Sequence, residues 1–196
     1  MKIKAGLGTA PFEGGIATLD TREPGDADVV IRTEYSFVSN GTEQNTHRRD
    51  FPEPPASFPM AMGYQCTGRI ERVGGAVKGF AVGQRVFTRN NGLVGVSNPI
   101  GGVHAETIVA PAANLIAVPD DVDALEASAL VVAQVGYNTA CRFPESGGKS
   151  ALVIGDGLIG QFTAQALAAR GFRVLLSGHH DYRLERARVA CPALCT

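Results

Sequence analysis

Three glycines at 155, 157 and 160 carry the clearest chemistry in this chain, within Val153-Ile154-Gly155-Asp156-Gly157-Leu158-Ile159-Gly160. Their spacing fits G-x-G-x-x-G. Residues 150–154, apolar and rich in branched side chains, read as a strand, 161–170 as a helix, and 172–176 as a second strand. Glycine at such a strand-to-helix turn permits a tight bend, close approach of the backbone to a pyrophosphate, and close helix packing. The helix start then turns the N–H groups of Leu158, Ile159 and Gly160, with a partial positive charge, toward phosphates. The chemistry implied is dinucleotide binding.

The type of dinucleotide is read roughly twenty residues further on, where an Asp or Glu at the tip of the second strand would hold the ribose hydroxyls of NAD. Here the strand ends Leu176-Ser177-Gly178-His179-His180, without an acid. A carboxylate would repel a 2′-phosphate, whereas Ser177, His179 and Arg183 would receive one. NADP is therefore expected, with NAD as the alternative. Asp181 competes as the acid, but it follows two histidines and is placed to cap a helix from Tyr182.

The elements before this unit are of another kind. Residues 27–38, 66–73, 84–88 and 104–109 read as short strands between Gly, Pro and Asn turns, and no helix is expected before Pro119. Four prolines mark 51–59 as a loop. Asp123 is placed to cap a helix from Ala124, a run of small apolar residues follows, and 144–148 reads as a turn. The order is a small β-barrel-like domain, a linking helix and an α/β segment.

Composition excludes several classes. At 44% hydrophobic and 19% charged, the chain is an ordinary globular one. A net charge of -1 without a basic stripe argues against nucleic-acid or anionic-membrane partners. Residues 1–13 hold two lysines but no apolar core of a signal peptide. No run approaches the roughly 18 apolar residues of a membrane span. Cys66, Cys141, Cys191 and Cys195 form no paired framework, which suggests free thiols in a reducing cytoplasm.

Several ordered blocks resemble one family. Residues 63–74 and 77–86 look like G-H-E-x-x-G … V-G … V-x-x-F-x-x-G-D-x-V, 101–107 resemble G-G-x-A-E-Y with one extra residue, and 111–119 resemble P-A-x-x-L-x-x-L/V-P. With the glycine turn, they resemble the medium-chain dehydrogenase/reductase superfamily, whose members join a GroES-like catalytic domain to a Rossmann domain. The resemblance runs to about Arg188. It implies a β-rich GroES-like barrel domain over 1–122, a linking helix and turn over 123–147, and a partial α/β Rossmann segment over 148–196. The implied activity is hydride transfer between NAD(P) and an alcohol/carbonyl pair or an activated alkene. The Asn40-Gly41-Thr42-Glu43 block resembles members acting on secondary-alcohol groups.

The departures concern zinc. Zinc-dependent members take a cysteine from C-G-[ST]-D and a histidine from G-H-E, and here those positions are Asn40 and Tyr64. Around 131–134 no ligand type occurs, and 87–103 lack the cysteines of a structural zinc lobe. Amide and phenol are poor substitutes for thiolate and imidazole, so no metal is expected. The resemblance then makes Thr42 the start of a proton relay and Tyr64 a donor to the substrate oxygen. Asn40 would orient substrate or nicotinamide, and His47 would shuttle protons.

A full dinucleotide site takes two mononucleotide-binding halves, conventionally about six strands. From Gly148 to Thr196 there are 49 residues, room for two strands and two helices. The family's glycine turn before a third strand is missing from 188–196. A C-terminally truncated or frame-disrupted member is therefore expected, weak or inactive as it stands, with an open sheet edge that invites homo-oligomers. Two other classes stay open: a noncatalytic GroES-like binding module with a vestigial nucleotide segment, and a structural partner completing its sheet with another chain.

Overall fold

A computed structural model describes residues 1–50, 57–144 and 148–192, and the backbone of 194–195. Most of the proline loop expected at 51–59, and most of the turn at 144–148, lie outside the described residues. The chain forms two compact units, Met1–Ala129 and Leu130–Thr196.

In the first unit the elements run β1 (Lys2–Ala10), β2 (Glu13–Thr21), β3 (Asp28–Ser36), α1 (Asn40–Arg48), β4 (Met60–Ala61), β5 (Cys66–Val73), β6 (Arg85–Thr88), β7 (Leu93–Val94), β8 (Thr107–Pro111), β9 (Ile116–Ala117) and α2 (Ala124–Ala127). They make two sheets, ordered β4-β1-β2-β7 and β8-β3-β5-β6-β9. The ladders are antiparallel. Val29, Ile31, Ile70, Val86 and Ile108 are at most 1% exposed and share one core with Ile3 and Leu19 of the β1–β2 hairpin. Burying each such side chain stabilises the unit by about 1.5–3 kcal/mol.

Two features depart from the strand-only expectation. The glycine-rich hairpin β1–β2 forms ahead of the first expected strand. Within the supposedly helix-free region, α1 is a full helix, and its buried residues are Glu43 and Thr46 rather than apolar ones. A helix that buries polar groups leaves no hydrophobic period to read.

Asp123 does cap α2, its Oδ1 accepting from the N–H groups of Leu125 at 2.8 Å and Glu126 at 3.2 Å. That helix ends at Ala127, and the boundary between the units falls just beyond it.

The second unit holds α3 (Leu130–Cys141), β10 (Ser150–Ile154), α4 (Leu158–Ala169), β11 (Arg173–Ser177), α5 (Asp181–Ala190) and β12 (Leu194–Cys195). The sheet is parallel, ordered β10-β11-β12. The expectation of two strands is thus corrected: Leu194 and Cys195 align with Val174 and Leu175 as a short third strand. Helix α3 meets α4 at Gly136, where a Cβ would stand 2.6 Å from that of Phe162. One sheet face is packed, with Val174 and Leu176 buried beside Ala164, Leu167 and Ala187. The other face is bare: Leu152 is 60%, Ile154 82% and Leu175 47% exposed.

Candidate functional site

The glycine turn joins β10 to α4. Gly155 has φ 117°, and its N–H donates to the Ser177 carbonyl at 2.7 Å, which locks the turn to the end of β11. Gly157 caps α4. A Cβ on Gly160 would lie 1.9 Å from the Gly155 carbonyl oxygen, so only glycine lets the helix start so close to the strand. Around Gly155 and Gly157, by contrast, a Cβ would meet nothing within 4 Å. The turn therefore opens onto free space. The first N–H groups of α4, at Leu158, Ile159 and Gly160, have no intrahelical acceptor, so the turn is a cradle for phosphate oxygens.

Asp156, between the first two glycines, has a role that the motif alone does not reveal. Its Oδ2 accepts from the backbone N–H of His179 at 2.8 Å and of His180 at 2.7 Å. The imidazole Nδ1 of His180 lies 2.9 Å from the same oxygen, and Arg183 Nη1 donates to Oδ1 at 3.3 Å. Burial pushes this carboxyl's pKa up, but the hydrogen bonds from His180 and His179 outweigh it and hold the group well below the usual carboxylate range.

The residues expected at the 2′-position are distributed around this acid. Ser177 is exposed at the end of β11, the His179 N–H serves Asp156, and Arg183 also donates Nε to the Tyr182 hydroxyl at 2.9 Å. Asp181 does not cap the last helix as expected. It is the first residue of α5, after His180 in the capping position, and no side-chain cap bond is made there.

In the first unit, α1 and the segment before β8 place three polar side chains together. His104 Nε2 is 3.0 Å from Glu43 Oε2, and its Nδ1 is 2.9 Å from Ser36 Oγ at the end of β3. Glu43 also accepts the Ser39 N–H at 3.0 Å, which anchors it across the start of α1. The imidazole lies against Gly63, where a Cβ would fall 2.5 Å from the ring. The Glu43 side chain is 8% exposed and that of His104 17%. With Glu43 accepting the Nε2 proton, Nδ1 is left to accept from the Ser36 hydroxyl, and the imidazole is fixed in one tautomer.

Of the residues expected to act on substrate, Asn40 is exposed at the first position of α1, and Thr42 is half-buried, its Oγ1 accepting from the Ser39 hydroxyl at 3.4 Å. Tyr64 is buried, with the Arg89 guanidinium 5.9 Å from its ring centre. His47 points to the hairpin: its Nδ1 accepts the Phe12 N–H at 3.3 Å, and its ring stacks on Phe12 at 6.1 Å. Hydrogen bonds do not link Asn40, Thr42 and Tyr64 to one another among the described residues. The link from α1 to the Tyr64 neighbourhood runs instead through Glu43 and His104.

Among the described residues, the positions matched to the family's zinc ligands carry no donor set that fits zinc. At the matched positions stand an exposed amide and a buried phenol, Glu43 and His104 are committed to each other, and burial pushes the Cys66 thiol up to about 12. No group of three His, Cys, Asp or Glu side chains able to hold a metal ion occurs among the described residues.

Residues 25–120 match the alcohol dehydrogenase GroES-like domain. The chain is 33% identical over 188 residues to L-threonine 3-dehydrogenase of Anaeromyxobacter dehalogenans (strain 2CP-C), a match covering 85% of this chain and 53% of that protein. The chain thus spans about half the length of that relative. Among solved structures, cinnamyl alcohol dehydrogenase of Sorghum bicolor superposes with a TM-score of 0.80 at 17% identity, over 100% of this chain and 64% of the other. A Sinorhizobium meliloti 1021 protein solved with NADP bound gives 0.80 at 20% identity, over 100% and 62%.

Proposed function

Because the chain belongs to the medium-chain dehydrogenase/reductase superfamily, we propose that it serves an NAD(P)-linked oxidoreductase of the alcohol dehydrogenase/quinone reductase type, working without zinc. The substrate class is an alcohol/carbonyl pair or an activated alkene. The observation that carries this proposal is the glycine turn: Gly160 packed on the Gly155 carbonyl, with open space at Gly155 and Gly157. Gly155, Gly157, Leu158, Ile159 and Gly160 would hold the pyrophosphate, and a bound nicotinamide dinucleotide supplies the hydride chemistry.

The first unit's part is the proton. During alcohol oxidation, Ser36 Oγ takes the substrate hydroxyl proton as its own proton passes to His104 Nδ1, 2.9 Å away. The Glu43 carboxylate steadies the imidazolium that forms, and in the reductive direction the proton returns by the same route. Thr42 and Tyr64 donate to the substrate oxygen in place of a metal, and Asn40 orients the substrate. His47 holds the hairpin through Phe12.

A small-molecule substrate, rather than nucleic acid or an anionic membrane, agrees with the net charge of -1. No described helix is long and apolar enough to cross a membrane.

The test is isotopic. NADH and NADPH deuterated at C4 are incubated with the protein and a panel of aldehydes, ketones and enones, and products are examined by mass spectrometry. Slow deuterium transfer to the product carbon is expected. Nucleotide binding without any transfer would favour the noncatalytic binding module.

A further inference from the structure

We infer that Asp156 is the cofactor-selecting residue of this chain: it fills the anion-binding turn after β11, so that a dinucleotide with a free 2′-hydroxyl is bound in preference to one carrying a 2′-phosphate. This inference rests on the nucleotide-binding function proposed above and reverses the preference expected from the strand tip alone.

The 2′-position of a dinucleotide is read at the end of the second strand of the β-α-β unit. Here that end offers what an anion needs: two successive backbone N–H groups, an imidazole and a guanidinium. All four already point at one carboxylate. The N–H groups of His179 and His180 donate to Asp156 Oδ2 at 2.8 and 2.7 Å, His180 Nδ1 lies 2.9 Å away, and Arg183 Nη1 donates at 3.3 Å.

Asp156 is not a loose surface acid that a ligand would brush aside. Its side chain is 7% exposed, and Gly178 packs so tightly on it that a Cβ there would lie 2.4 Å from the Asp156 Cβ. A 2′-phosphate entering this turn would stand against a fixed negative charge, with the donors that should greet it already engaged. Setting a like charge against the wrong ligand is one way to reject a competitor. A free hydroxyl carries no such penalty.

The probes are ADP-ribose and 2′-phospho-ADP-ribose, which differ only at the 2′-position and need no turnover. Calorimetry on the full chain should show ADP-ribose binding roughly ten-fold or more tightly than its 2′-phospho counterpart. Asp156→Asn removes the charge at constant shape and should bring the two affinities together or invert them. Asp156→Ser, which removes the charge with a smaller side chain, supplies a second arm should Asp156→Asn fail to fold, and should move the affinity ratio the same way; an unchanged ratio in a folded variant overturns the inference. Equal or tighter binding of 2′-phospho-ADP-ribose by the unsubstituted chain overturns the inference while leaving nucleotide binding intact. Binding of neither probe overturns both.

Discussion

Glu43 and His104 lie 61 positions apart in the chain and meet with 3.0 Å between Nε2 and Oε2, which makes their coupling a quantity that can be measured. Glu43→Ala removes a largely buried carboxylate that serves two donors, His104 Nε2 and the Ser39 N–H. A hydrogen bond to a charged group contributes about 1.5–3 kcal/mol, and loss of both leaves two donors short of a partner. We therefore expect Glu43→Ala to destabilise the first unit by about 3 kcal/mol, and His104→Ala by about 2 kcal/mol. In the double variant the shared bond is lost only once, so the combined loss should fall short of the sum by about 1.5 kcal/mol. Urea unfolding followed through the amide signals of β3 and β5 reports this unit alone, which matters because two units need not unfold together. Losses that add to within about 0.5 kcal/mol would mean that the two side chains are neighbours without being partners.

Three further outcomes follow from packing and charge. Gly160→Ala should cost the second unit about 2–3 kcal/mol, because the added Cβ would stand 1.9 Å from a backbone oxygen that has no side-chain freedom to escape; hydrogen exchange in β10 and β11 measures it. Leu176→Ala, on the packed sheet face and 0% exposed, should cost about 3 kcal/mol, whereas Ile154→Ala, 82% exposed on the bare face, should cost under about 0.5 kcal/mol; equal losses would show that the bare face is covered. In acid, Asp28 is the group to follow. The Arg22 hydrogen bonds hold its carboxyl below the usual range against the opposing push of burial. A depressed carboxyl stabilises the fold above the unfolded pKa of about 3.9 and loses that contribution as pH falls through the folded value. The stability difference between the unsubstituted chain and Asp28→Asn should therefore shrink below about pH 4, and a difference constant with pH would contradict the assignment.

What could be read in the sequence was local. Gly155, Gly157 and Gly160 sit in a strand-turn-helix context that a few residues define, and the Asp123 cap depends on donors only two and three residues away. β3, β5, β6 and β8 announce themselves by branched residues between turns. Helix α1 did not, because the side chains it buries are Glu43 and Thr46. His104 carried no signal beyond being the extra residue in a G-G-x-A-E-Y-like run, since its partners come from β3 and α1 and only the sheet order brings them together. Asp156 occupied an x position of the motif, and its meaning depends on backbone N–H groups 23 and 24 residues onward. The expectation that Ser177, His179 and Arg183 await a 2′-phosphate was drawn from the missing acid at the strand tip and from side-chain type, and the contacts of Asp156 with His179 and Arg183 could not be read there.

Titration of the isotope-labelled chain with NAD+ asks most directly whether the glycine turn binds a dinucleotide. Saturable shifts are expected at the amide signals of Gly155, Gly157, Leu158, Ile159 and Gly160, together with those of His179 and His180 beside Asp156. Signals that stay still at the glycine turn up to millimolar NAD+, or shifts confined to other parts of the chain, would contradict it.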